Sequence, residues 1–311
     1  MRTRDSERAR ALPGDDEEVA MPHALLRPAR LLAVLVALAG LLLVPAVDAP
    51  QVADAATTDA CGARIAKPEG GYWSCSFVDN FSGAKLDTAK WLPQVTALSG
   101  FSMNRTCFLS GRGYRVLDGT LRLQAHRTST FNCRNRGSDW SASAVGGAVS
   151  SYTKFDQTYG RFEARIKFPR YSARGLQGGF WMNPTERTYG PWPASGEIDV
   201  AEWYSALARH VFPSLHYTGR TAHDTAACLM GDRSRFHTYG VTWSPSRMRF
   251  LYDGRLCFSR AWEPTDLEAP KPFDQPFTVA LVAAIGAGDN APSSSTPTWT
   301  TTKIDYVKVW H

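Results

Sequence analysis

No Cys-x-x-C pair occurs in the 311-residue sequence, so its six cysteines lack the ligand spacing of a structural zinc site. Nor is there a Lys/Arg cluster with interleaved aromatics. The formal charge of +6 is spread thinly, and part of it belongs to the N-terminal extension. That distribution describes a solvated basic surface and argues against a nucleic-acid partner. Sustained helical periodicity is missing after residue 55, which leaves little room for a helical fold. No internal repeat and no second domain are apparent. The low-complexity sequence is confined to one short loop, APSSSTPTWTTT, from Ala291 to Thr302.

One long apolar run is present, LLAVLVALAGLLLVPAV over residues 31–47. It follows Arg27 and Arg30 and leads to Ala53-Asp54-Ala55. A basic region, an apolar region and a small-residue site form the layout of a secretory signal peptide. A transmembrane anchor is the competing reading. The run is slightly shorter than the roughly 20 residues a span requires, and Pro45 with the Ala-rich stretch after it favours cleavage. The expected organisation is an N-terminal extension and signal over 1–55 and a single domain over 56–311. The product would be secreted, monomeric and free of the membrane once cleaved. The first twenty residues are unusually charged for a leader, and Met21 is an alternative start.

All six cysteines, Cys61, Cys75, Cys107, Cys133, Cys228 and Cys257, follow the signal. An even count in an exported chain reads as disulfides. Sequence order suggests Cys61–Cys75, Cys107–Cys133 and Cys228–Cys257, one of the pairings that six cysteines allow.

Most of the remaining chain alternates with period two. In GRFEARIKF (160–168), Phe162, Ala164, Ile166 and Phe168 alternate with Arg161, Glu163, Arg165 and Lys167. TLRLQAHR (120–127) and KIDYVKVW (303–310) behave likewise. RMRFLYDGRLCF (247–258) sets Asp-Gly between alternating stretches, a strong hairpin signal. FTVALVAAIG (277–286) is solidly apolar, as a strand covered on both faces should be. Short strands with turns rich in Gly, Asn, Asp and Pro predict an all-β sandwich of two antiparallel sheets.

SGEIDVAEWY (195–204) stands out because Glu197, Asp199 and Glu202 are interleaved with hydrophobes. On a helix, Asp199 and Glu202 would fall about 200° and 140° from Glu197, sharing no face. On a strand, Glu197 and Asp199 point the same way, but Glu202 has the wrong parity. One extra residue, taken up as a β-bulge among Val200 and Ala201, would return Glu202 to the shared face. Three carboxyls in one groove cannot all stay ionised, and one must hold a proton near neutral pH. A proton donor beside a carboxylate is what glycosidic bond cleavage needs. A calcium site or an inert acidic edge would also hold carboxylates; calcium generally takes its oxygen ligands from a loop, whereas Ile198, Val200 and Trp203 imply a packed strand.

Here the sequence resembles glycoside hydrolase family 16, the laminarinase and lichenase family, whose motif E-x-D-x-x-E matches EIDVAE. FVDNFSGAKLDTAKW (77–91), YGRFEARIKFP (159–169), GLQGGFWMNP (175–184) and YGPWPASGEIDVAEW (189–203) follow the family's order. So do LHYTG (215–219), FHTYGVTWSPSRMRFLYDG (236–254), FDQPFTVAL (273–281) and IDYVKVW (304–310). The resemblance implies a concanavalin A-like jelly roll whose concave sheet forms a groove for β-glucan. It implies Glu197 as nucleophile, Glu202 as acid/base and Asp199 as the residue assisting between them. The reaction would retain configuration through a glycosyl-enzyme and use no cofactor.

Trp181, Trp192 and Trp203 flank the motif and are candidate sugar-binding walls, with core packing as the competing role of each. His216, in the matching HY pair, is a candidate to reach the sugar or the acid/base. Asp305 aligns with an occasional structural calcium ligand of the family. Two departures bear on linkage preference. WYSALARH lacks the glycine that often follows the motif, and Val282 stands where many laminarinases carry an asparagine. A galactan hydrolase, a transglycosylase, or a glycan-binding jelly roll without catalysis are the other functions weighed. Retention of all three acidic residues argues against the last.

Overall fold

The computed structural model describes residues 57–232 and 235–311. The expected extension and signal peptide lie outside the described residues. The strands that carry the architecture are β1 (Cys75–Asp79), β2 (Thr120–Cys133), β3 (Trp140–Ser150), β4 (Gly160–Lys167), β5 (Leu176–Pro184) and β6 (Glu197–Tyr204). They continue with β7 (His210–His216), β8 (His237–Ser244), β9 (Arg247–Tyr252), β10 (Arg255–Arg260), β11 (Phe277–Ile285) and β12 (Trp299–Trp310).

They form the two sheets of a near-closed jelly-roll sandwich. One sheet runs β7-β6-β5-β11-β3. The other runs β2-β12-β4-β8-β9-β10, with β1 sharing the β2 edge of β12. Pairing of β2 with β3 joins the two at one side. These ladders are antiparallel, but the short strand Thr106–Phe108 runs parallel to Ala144–Gly146 of β3. The two sheets are antiparallel as expected, and this short pair is the exception among the described ladders. The intervening β2 hairpin supplies the long crossover a parallel pair requires.

Alternation explains the layering. On β4, Phe162, Ala164 and Ile166 are buried, while Arg161, Arg165 and Lys167 are only half-buried. Phe162, Ile166 and Ile304 from one sheet join Phe180, Ile198, Trp203 and Leu281 from the other in one core. Each such side chain contributes about 1.5–3 kcal/mol on burial. The β9–β10 hairpin turns at Asp253 and Gly254, with φ of 48° and 74°, the left-handed pair that a tight hairpin turn demands.

Nearly all of β11 is buried. Its core face packs between the sheets, and Phe101, Met103 and Phe108 cover Val282 and Ala284 on the other. Disulfides join Cys61 to Cys75, Cys107 to Cys133 and Cys228 to Cys257. Each fastens an edge or loop segment to a neighbouring strand, typically worth about 2–4 kcal/mol.

Candidate active site

The acidic strand enters its sheet through Gly196, whose φ is 85° and where a Cβ would lie 2.8 Å from the Phe273 ring. Glycine is therefore required on both conformational and steric grounds. Along β6, Trp181 pairs with Asp199, Phe180 with Ala201 and Gly179 with Glu202, so Val200 has no partner on β5. On the other side, Asp199 faces Ser214 and Glu202 faces Phe212, again with one residue too many between them. This is a β-bulge, and it restores the parity the spacing had broken. Ile198, Val200, Ala201 and Trp203 join the core, leaving Glu197, Asp199 and Glu202 on the outer, groove-facing side. The middle carboxylate is on the shortest side chain.

Neighbouring strands supply the partners. Asn183 Nδ2–H donates to Glu197 Oε2 at 2.6 Å, and Asn183 Oδ1 accepts from Trp181 Nε1–H at 2.9 Å. Gln177 Nε2–H donates to Glu202 Oε1 at 3.3 Å, and the Tyr204 hydroxyl also bonds Glu202. His216 Nε2 and Asp199 Oδ2 lie 2.7 Å apart. Asn183, Gln177 and Tyr204 were not singled out in the sequence. Tyr204 was legible there, because it lies two residues beyond Glu202 on the same face. The other two are brought to the site only by the register of β5 against β6.

Burial, then the Asp199 charge, push Glu197 up to about 8, while His216 and the Asn183 amide pull it the other way. Burial likewise raises Glu202 and opposes the hydrogen bonds from Tyr204 and Gln177. Asp199 is 2% exposed, and burial raises it well above the usual carboxylate range, with the Glu202 charge adding to the effect. Burial lowers His216. The directions at Asp199 and His216 agree: both favour the neutral form. An Asp199 O–H donating to a neutral His216 Nε2 satisfies the pair without a buried charge.

The four candidate sugar-binding residues separate. Trp192 is 58% exposed, with its ring centroid 5.7 Å from that of His216. Its loop is braced where Ser195 Oγ–H donates to the Gly190 carbonyl and accepts from Tyr189 N–H. Trp181 is on the face of Asp199 but is only 7% exposed, buried in a cluster with Val282, Phe108 and Phe101, with its indole against Gly179. His216 is half-buried in the acidic cluster.

Trp203 corrects the expectation of a third wall. It is fully buried, stacks on Phe168 and donates its indole N–H to the Ala208 carbonyl. A residue next to Glu202 on a strand must face away from the groove. Val282 pairs with Gly179 and packs with Trp181 beneath the cover of Phe101 and Phe108. The segment after the motif, without its glycine, forms a 3₁₀ turn over Ser205–Leu207, and Asn290 Oδ1 accepts from Ala206 N–H.

Asp305 does not fit a calcium ligand. Its carboxylate is 2.6 Å from the Arg165 guanidinium, which already supplies the positive charge. Single ligand atoms of Glu197, Asp199 and His216 lie within 4.8 Å of one another, but the short His216–Asp199 contact and the Asn183 amide account for that grouping as a hydrogen-bonded cluster. A second close group, Asp59 with Cys61 and Cys75, contains disulfide sulfurs and has no thiolates to offer.

Comparison with known proteins agrees with this geometry. The family model described as beta-porphyranase A-D, GH16 domain, matches residues 74–311. A glucan endo-1,3-beta-glucosidase from Cryptopygus antarcticus is 28% identical over 261 residues, 77% of this chain and 93% of that protein. A keratan-sulfate endo-1,4-beta-galactosidase from Sphingobacterium multivorum is 32% identical over 168 residues, covering 53% of this chain and 39% of that protein. The laminarinase of Rhodothermus marinus superposes with a TM-score of 0.66 at 26% identity, over 77% of this chain and 97% of that one. The family match takes in both sheets, the bulged strand and every groove residue described above, and on that ground the chain belongs to glycoside hydrolase family 16.

Proposed function

We propose that the protein is a secreted endo-acting β-glucanase that cleaves β-1,3- or mixed-linkage β-1,3-1,4-glucan with retention of configuration. The observation that carries this reading is the bulge at Val200, which turns Glu197 and Glu202 onto the same groove face with Asp199 between them. Neighbouring carboxyls suit direct attack on the sugar, whereas inversion needs room for a water between them.

In this reading Glu202, whose pKa burial raises, gives its proton to the glycosidic oxygen as the bond breaks. Glu197 attacks the anomeric carbon and forms the glycosyl-enzyme. Its negative form is supported by the Asn183 amide, which donates to it at 2.6 Å. Asp199 assists by holding its own proton against His216, which removes a neighbouring negative charge from Glu197. Glu202, now ionised, takes a proton from the incoming water, and the sugar leaves with its original configuration. No step needs a cofactor. Trp192 forms an aromatic wall at the groove edge, and Trp181 and His216 line its floor.

The near-full-length likeness to a glucan endo-1,3-beta-glucosidase supports the glucan assignment. A second reading, a galactan-type polysaccharide as substrate, is favoured by the porphyranase family model and the keratan-sulfate galactosidase likeness. Incubation with laminarin, lichenan, xyloglucan, agarose and carrageenan, followed by product sizing, separates them. Cleavage of laminarin or lichenan to short oligosaccharides is expected. Cleavage of a galactan alone overturns the glucanase reading.

A further inference from the structure

On the outer face of the second sheet, Arg115 pairs with Arg122, Arg122 with Lys303 and Lys303 with Lys167, across four adjacent strands. Like charges directly opposite one another destabilise a sheet. A row of four cations is thus a standing cost that folding alone does not explain. Asp118 pairs with Arg122, second in the row. Among the described residues, no ion pair involves Lys167, Lys303 or the nearby Arg170.

The row ends in an open cleft of about 510 Å³ lined by Lys167, Arg170, Tyr171, Trp299, Thr301 and Lys303. Trp299, Thr301 and Lys303 alternate along β12 and therefore share the outer face, with the first and last about 13 Å apart. Trp299 is 49% exposed, and its ring centroid is 4.8 Å from that of His126. The loop leading into it is held by Arg127, which donates to the Ser293 and Thr296 carbonyls. Among the described residues, no carboxylate lines the cleft. Its chemistry is an aromatic plate at one end and two ammonium groups with one guanidinium at the other.

We propose that this cleft is a second polysaccharide-binding site, outside the catalytic groove, that takes an anionic glycan. Trp299 receives the face of a pyranose ring. Lys303, Lys167 and Arg170 receive its sulfate or carboxylate groups, which guanidinium and ammonium donors bind by charge-assisted hydrogen bonds. The site lies on the sheet opposite the Glu197 groove and would hold the enzyme on a charged matrix without occupying its substrate cleft.

Affinity electrophoresis of the full chain in gels containing dextran sulfate, alginate or neutral dextran tests this. The wild type should be retarded by dextran sulfate, alginate or both, according to which anion the site prefers, and not by neutral dextran. A Lys167→Gln/Lys303→Gln double variant should lose about tenfold in apparent affinity, and Trp299→Ala several-fold. Glu197→Gln should be retarded as the wild type is. The double variant should melt no lower than wild type, because it removes an opposed like-charge pair, so its loss of binding cannot be ascribed to misfolding. Three results would each overturn the proposal: no retardation by either polyanion, retardation unchanged in the double variant or in Trp299→Ala, or duplex DNA binding as tight as that of dextran sulfate.

Discussion

Asn183 donates its side-chain amide to Glu197 at 2.6 Å and receives the Trp181 indole N–H on its own oxygen. The asparagine is thereby fixed with its donor toward the carboxylate. A hydrogen bond to a charged group is worth about 1.5–3 kcal/mol, so the nucleophile proposed above owes part of its ionised state to a residue on the adjacent strand.

Replacing that residue gives the first prediction. Asn183→Ala removes a donor that favours the charged form, so the Glu197 pKa rises further. The acidic limb of the kcat/KM profile should move to higher pH, and activity near neutrality should fall about 10–100-fold. Rates measured across the pH range check this; an unmoved limb would remove Asn183 from the account.

Gly179 offers a steric test of the same relay. An added Cβ would lie 2.6 Å from Trp181 Cζ3 and 3.4 Å from Val282 Cγ1. In Gly179→Ala the indole must shift, which pulls its N–H from Asn183. Overpacking of this kind costs about 1–3 kcal/mol. A lower melting temperature together with a reduced kcat is expected, and tryptophan fluorescence should report the displaced ring.

Trp192 is exposed and braced from its own loop, so truncation should leave the fold and the carboxylates undisturbed. Trp192→Ala should raise KM with kcat largely preserved. Loss of about 1–2 kcal/mol of sugar contact corresponds to a roughly 5–30-fold change. A fall in kcat at unchanged KM would place the indole in the chemistry itself.

The raised carboxyl pKa values also set the pH dependence of stability. Glu197 moves from an ordinary value near 4.5 to about 8 on folding. Between those values the native state binds more protons than the unfolded chain, so stability falls as pH rises through that window. Glu197→Gln abolishes the titration. Its melting temperature should match wild type near pH 4 and exceed it by about 2 °C or more at pH 9. Parallel melting curves across that range would contradict the shift.

Much of the site was legible in the sequence because the strand repeat is strict. With period two, a spacing of five from Glu197 to Glu202 demands a bulge for a shared face, and the structure has one at Val200. The same parity argument assigns Trp203 to the core, and applying it to the tryptophan would have removed that residue from the candidate walls. What sequence could not supply is register between strands. Asn183 and Gln177 reach the carboxylates only because β5 pairs with β6 at one offset. Likewise the cations Arg115, Arg122, Lys167 and Lys303 look scattered in the chain and become a row only when four strands are laid side by side. Asp305 misled for a related reason, since its partner Arg165 lies 140 residues away.

The central claim is that the bulged strand makes Glu197 and Glu202 neighbours acting on one sugar. It is tested most directly by proton NMR of the first product formed from whichever polysaccharide of the panel is cut. Initial appearance of the β-anomer, followed by slow mutarotation, is the predicted result; initial appearance of the α-anomer would mean inversion and would contradict the account.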